Sequence, residues 1–270
     1  MKKAIYKVAT IATILLVVVI LVFCLWRFEK REYIKTFVTG EKISEIETLH
    51  VATYNVKLLN GGTDLDKIIE ELQPLDLDII CLQEVDKHSL RSNNMDMVKE
   101  IADGLGMDYY YFYKSMWLLD GHYGLGIISK YPIQEVSSQE LPTKLFSEPR
   151  ILAKAKIAVN DKIINVYNTH LTWNSWNYHS GQIDYIKRNM ERENVILMGD
   201  FNAYWDENEE TIFDLNQMNQ GINPYITFRG KASPDNIFYS DTFEMIDSGM
   251  IETSFSDHNM LYSVLRIVEK

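Results

Sequence analysis

Strand ends in this chain carry polar residues of a narrow chemical kind. Val195-Ile-Leu-Met-Gly-Asp-Phe-Asn202 opens with four apolar residues, as a buried strand does, and delivers Asp200 and Asn202 at its end. In an extended chain alternate side chains share a face, so a carboxylate and an amide stand together with Phe201 turned away. Taken alone, the octet is explained by a strand and an Asp/Asn turn. The pattern recurs, however. Asn55 ends one strand-like stretch, Glu84 a second, and Asn168 and His170 a third, while Asp235 and the pair Asp257-His258 each precede another. Together these are hard to attribute to turns. They suit hydrolysis of a phosphate ester, which needs a hard cation held by carboxylate or amide oxygens and water. The reaction also needs a base that can deprotonate water near neutrality, a task for imidazole.

Seven stretches, in chain order, resemble the markers of the endonuclease/exonuclease/phosphatase superfamily of DNase I-like, metal-dependent phosphohydrolases. They are Ala52-Thr-Tyr-Asn55, Leu82-Gln-Glu84, Gly126-Ile-Ile-Ser-Lys-Tyr-Pro-Ile133, Asn168-Thr-His-Leu171, Gly199-Asp-Phe-Asn202, Asp235-Asn-Ile-Phe238 and Ser256-Asp-His258. The resemblance covers residues 48 to 268. It implies that Glu84 is the main ligand of Mg²⁺ (Mn²⁺ also suits), with Asn55 beside it and Asp257 near the ion or an associated water. His258 is implied as the general base, oriented by Asp235. Asp200 and Asn202 are implied to position the attacking water and a phosphate oxygen, and His170 with Asn168 to contact the phosphate. Arg150 resembles an arginine found near the phosphate in relatives and equally fits a surface ion pair. Two positions depart from the pattern. Asn236 stands where members often carry Tyr, and His179 stands three residues before Gln182 where many carry Arg. The second departure bears on substrate contacts, not on the reaction type.

Elements must place these residues. Strand-like stretches run over His50 to Lys57, Asp78 to Val85, Tyr109 to Lys114, Gly126 to Ser129, Gln134 to Leu141, Ile151 to Val159 and Lys162 to Leu171. Further strands are expected over Asn236 to Ser240, Thr242 to Asp247 and Leu261 to Val268. Asn160-Asp161 reads as a hairpin turn. Helices are expected from Thr63, with Pro74 as the stop, over Met95 to Leu105 closed by Gly104 or Gly106, over Gly181 to Arg192, and as an acidic helix near Glu207 to Met218. The expected fold is a four-layer α/β sandwich, two packed mixed β-sheets flanked by helices. Trp173, Trp176 and Tyr178, just after His170, read either as an aromatic rim for a base or bilayer interface or as packing under a loop.

The chain has 270 residues, and residues 1 to 27 hold four basic residues and no acid. The remainder has 23 basic against 38 acidic residues, a net −15, so nothing supports avid binding of duplex DNA. Val8 to Trp26 contains no charge, and nineteen residues at about 1.5 Å each nearly span a hydrocarbon core of about 30 Å. Residues 1–27 therefore read as a single-pass membrane anchor, 28–45 as a juxtamembrane linker and 46–270 as the catalytic domain. The short basic start favours placing that domain on the extracytoplasmic side. Cys24 and Cys81 are the only cysteines, so the domain relies on its core and not on disulfides. The expected partners are the membrane and a phosphate ester, drawn from lipid headgroups, nucleic acid or small metabolites. A non-catalytic binding module of the same fold is the competing class.

Overall fold

A computed structural model of the chain describes residues 13–19, 35–36, 46–57, 65–203, 213–221 and 223–268. Two mixed sheets form. One has the spatial order β1 (Lys35–Thr36), β6 (Ile133–Glu140), β7 (Ile151–Val159), β8 (Lys162–His170), β9 (Val195–Asp200), β11 (Asp235–Tyr239) and β10 (Asn216–Gln217). The other runs β12 (Phe243–Ile251), β13 (Met260–Ile267), β2 (Thr48–Asn55), β3 (Ile79–Lys87), β5 (Gly121–Ser129) and β4 (Tyr109–Leu118). Each sheet is antiparallel except for one central pair, β2/β3 and β8/β9. Parallel neighbours need a crossover, which α1 (Leu65–Leu72) supplies in one sheet and α3 (Trp176–Asn189) in the other.

Burial on both faces explains why the central strands read as apolar runs. Ile79 and Cys81 of β3 enter the core between the sheets, while Ile80 and Leu82 pack under α1 and α2 (Met97–Leu105). Ile196 and Met198 of β9 face the same inter-sheet core, while Val195 and Leu197 join Ile186 of α3 and the ring cluster Phe201, Phe213 and Phe238. The layers are therefore helix, sheet, sheet, helix, as expected.

The differences are local. α2 is closed by Gly106 in the left-handed region, at φ 67°, where a side chain would be strained. α3 starts five residues earlier than expected, at Trp176, because the aromatic loop belongs to its first turn. Residues 213–218 are not helical: Asn216–Gln217 pair as an edge strand with Tyr239 and Phe238. The rest of that expected helix, residues 207–212, lies outside the described residues, as does Thr63. Inside the stretch read as linker, Lys35–Thr36 pair with β6. Residues 13–19 are helical and the remainder of the expected span over 8–26 lies outside the described residues. Among the described residues no helix is long and apolar enough to cross a membrane.

Candidate active site

The central pairs deliver their polar ends to one edge of the sandwich. In the β8/β9 ladder His170 stands opposite Asp200, and Asp200 stands opposite Asp235 at the start of antiparallel β11. Asn55 and Gln83 are partners at the ends of β2 and β3, and His258 precedes β13, which lies beside β2. Asn55 ties the sheets together: its Nδ2 donates to Glu84 Oε1 at 3.2 Å and to Asp200 Oδ2 at 3.0 Å. Backbone irregularity aims two of these groups. A bulge in β3, between Leu82 and Val85, puts Glu84 at φ 57°, a left-handed conformation that costs a non-glycine residue energy. Gly199 lets β8 approach, since a Cβ there would sit 2.1 Å from Thr169 O.

His258 Nδ1 lies 2.8 Å from Asp235 Oδ2, which also accepts from the Thr227 hydroxyl at 2.6 Å. On its other side His258 Nε2 is 3.6 Å from Asp200 Oδ2, and His170 Nε2 approaches the same oxygen at 3.5 Å. The two imidazoles differ in charge. Burial drives His170 well below the ordinary histidine value, and the positive charges of Arg150 and His258 act the same way. Burial also works against the charged form of His258, but the carboxylate and hydrogen bond of Asp235 prevail and raise its pKa to about 9. Burial and the neighbouring charge of Asp235 raise Asp200 to about 6.

The oxygens at this edge fit a hard cation. Glu84 is raised by burial, which its one Asn55 hydrogen bond only partly offsets. Asp235 Oδ1 is buried with no hydrogen-bond partner among the described residues. Asp200, Asp235 and His258 also bring ligand atoms within 4.8 Å of one another. Glu84 and Asp200 match the oxygen preference of Mg²⁺ or Mn²⁺ better than that trio does, because the His258 ring is already committed to Asp235. Asn55 lies beside Glu84, as expected of it: its amide nitrogen donates to Glu84 and Asp200 and its oxygen accepts from Lys57 N–H, so it links the two acids.

A cleft of about 530 Å³ opens over these groups, a size suited to a small ligand. Glu84, His170, Asp200, Asn202 and His258 line it, together with Arg150. Arg150 is buried and bonded to Glu148 at 3.0 Å, so the surface ion-pair alternative does not describe it. Asn202 is held by its own N–H to Asp200 Oδ1 at 3.0 Å and by its amide to Leu171 O at 2.9 Å.

One expected residue lies outside the cleft, and another lines it already paired with two cationic side chains. Asn168 is wholly buried outside the cleft lining, donating to Leu82 O at 2.9 Å and Gly126 O at 2.8 Å and accepting from Gln83. Leu82 and Gly126 are register partners across β3 and β5, and by bonding both of their carbonyls from the other sheet Asn168 pins the sheets there. Asp257 is held by Lys57 Nζ at 2.6 Å and Arg229 Nη2 at 2.8 Å. Burial favours its neutral form, but these hydrogen bonds hold its pKa below the ordinary value. Lys57, Arg229, Phe228 and Thr227 thus join the site without having been legible as motif residues. His179, the departure in α3, is buried with Nε2 2.7 Å from Phe201 O. Trp173 lines the cleft, whereas Trp176 stacks on His179 with ring centroids 5.9 Å apart.

Comparison with solved structures shows the same fold at low sequence identity. A family protein from Bacteroides thetaiotaomicron is 19% identical, over 82% of this chain and 98% of its own, with a TM-score of 0.65. A mannosyl-6-phosphatase from the same species is 19% identical, over 82% and 100%, with a TM-score of 0.59. The human Nocturnin catalytic domain, solved with a bound sulfate, is 18% identical, over 90% and 99%, with a TM-score of 0.63. No curated protein matches the chain in sequence. The family model for Endonuclease/Exonuclease/phosphatase matches residues 52–258, nearly the whole described domain. The chain belongs to the endonuclease/exonuclease/phosphatase family, whose members are phosphoric ester hydrolases.

Proposed function

We propose that this protein is a membrane-anchored phosphodiesterase that uses a divalent cation, Mg²⁺ or Mn²⁺, and attacks phosphorus in line with water. The observation that carries the reading is the continuous set of contacts Glu84–Asn55–Asp200–His258–Asp235 on the cleft floor. Glu84 and Asp200 would hold the cation, which when bound offsets charge on the phosphoryl oxygens. Asp235 orients His258 and stabilises its charged form, so the pair takes up and returns a proton at Nε2, the atom that faces Asp200. Asn202 and the neutral His170 are placed to hydrogen-bond a phosphate oxygen, and Arg150 supplies positive charge at the wall. A nuclease and a lipid phosphodiesterase share this machinery. The net −15 of the chain beyond residue 27 weighs against an avid duplex binder.

The anchor reading rests on the nineteen uncharged residues from Val8 to Trp26, and the short basic start supports an extracytoplasmic domain. The test is turnover of plasmid DNA, short RNA, sphingomyelin, phosphatidyl lipids and a chromogenic phosphodiester, each with Mg²⁺ and with chelator. Chelator-sensitive hydrolysis that Glu84→Ala and His258→Ala both abolish is expected. Near-wild-type rates in both variants would refute the mechanism. A folded protein that binds no cation and turns over none of the panel would point to a binding module.

A further inference from the structure

Large apolar side chains crowd the edge of the molecule that carries the cleft. Leu90, Leu119, Leu145, Phe146, Trp173 and Trp176 are each 58% exposed or more. They come from four connections, β3 to α2, the β4–β5 hairpin, β6 to β7, and β8 to α3, the last with the first residue of α3, Trp176. The topology puts all four at one edge. β4 lies two antiparallel steps from β3, and β6 two from β8, so all four strands end where Glu84 and His170 stand. The Leu90 N–H donates to Asp120 at 2.7 Å, joining its loop to the hairpin tip of Leu119. Trp173 lines the cleft, as do Glu148 and Arg150 from the connection that presents Leu145 and Phe146. Single exposed apolar residues need no explanation, but a set gathered around one cleft does.

We propose that this edge docks on a lipid bilayer, so that the cleft opens onto a phosphoester in a lipid headgroup; the headgroup half of the proposal rests on the phosphoesterase reading above. Leucine and tryptophan on separate loop tips suit the headgroup–acyl boundary, where an indole ring places its body in the apolar layer and its N–H in the wet one. Chain direction agrees. β1 is antiparallel to β6 and so enters the sheet from the cleft edge. Only the eight residues 27–34 separate it from the apolar stretch that ends at Trp26, and they reach at most about 29 Å when extended. β1 thus begins on the side of the sheet that carries the loop tips. The acidic balance of the domain means that apolar insertion drives docking, since the positive groups Lys57 and Arg229 that line the cleft are already paired with Asp257.

The full chain carrying Trp26→Phe would be reconstituted in phosphatidylcholine–phosphatidylglycerol vesicles, with and without bromine at the middle of the acyl chains. Bromine is expected to quench the remaining tryptophan emission. The triple variant Leu90→Ser/Leu119→Ser/Leu145→Ser, added to that background, is expected to lose most of the quenching. It should also lose about tenfold of its turnover of vesicle phospholipid, the scale set by removing three leucines from an apolar layer. Turnover of bis(p-nitrophenyl) phosphate in solution should not change. Emission indifferent to bromine would overturn docking, and continued turnover of the soluble ester would show that the phosphoesterase reading survives. Quenching without turnover of any ester would overturn the headgroup half together with that reading. Unquenched emission combined with a detergent-solubilised dimer that the triple variant dissociates would assign the face to a second copy and overturn the proposal.

Discussion

At the residue scale, opposite charge states sit on two histidines that approach one carboxylate oxygen. Asp235 makes the difference, since it hydrogen-bonds His258 and leaves His170 to desolvation. Asp235→Asn should cut turnover by about 10²–10⁴-fold, the range for a lost acid–base device, with the fold intact by circular dichroism. The same shift sets a pH dependence of stability. The folded pKa of His258 is raised from 6.5 to about 9, so its contribution is full below pH 6.5 and is lost as pH rises to 9. Melting temperatures measured in chelator should therefore fall across that window, and Asp235→Asn should flatten the fall. Glu84 has the opposite relation to stability. Burial raises its pKa, so its ionised form costs the cation-free fold free energy at neutral pH. Glu84→Gln should melt higher than the wild type in chelator and gain less on addition of Mg²⁺, as read by calorimetry.

At the element scale, irregular positions matter more than regular ones. The β3 bulge aims Glu84, and just before it Asn168 bonds the carbonyls of the paired residues Leu82 and Gly126 from the other sheet. Asn168→Ala would remove two buried hydrogen bonds to backbone oxygens and the one accepted from Gln83, at a cost of about 2–4 kcal/mol in a urea titration. A group that only touched phosphate would lower turnover with no such cost. His179 works in a similar way on the segment after β9. Its bond to Phe201 O holds the backbone between Asp200 and Asn202, and the stacked Trp176 covers its ring. Asn168 followed the family motif, but its partners could not be read from the motif. They are the backbone oxygens of Leu82 and Gly126, in the other sheet.

At the scale of the whole molecule, two sheets each bring a parallel pair to one edge, and the cleft forms where those edges meet. Strand ends alone would leave the carboxylates apart; Asn55 joins acids from both sheets, reaching a residue 145 positions away. Because a cation would bind the folded arrangement and not the separated chain, Mg²⁺ should raise the melting temperature in a saturable manner, and chelator should reverse the rise. A melting temperature indifferent to both would remove Glu84 and Asp200 as a cation site.

The sequence by itself determined the layers and most of the cleft floor. Apolar runs buried on both faces specify central strands, and a carboxylate, amide or imidazole at the end of such a run must emerge at a sheet edge. It also carried the marker residues in family order, which is why Glu84, His170, Asp200, Asn202 and His258 were legible. Only the tertiary structure decided that Asn168 pins the sheets, that Lys57 and Arg229 occupy Asp257, that Thr227 supports Asp235, and that residues 213–218 form an edge strand instead of a helix. It also decided that the scattered apolar loop residues share one edge with the cleft. Most of these depend on contacts between positions far apart in the chain, made by side chains whose local pattern is compatible with solvent, and no periodicity or spacing encodes which partner arrives.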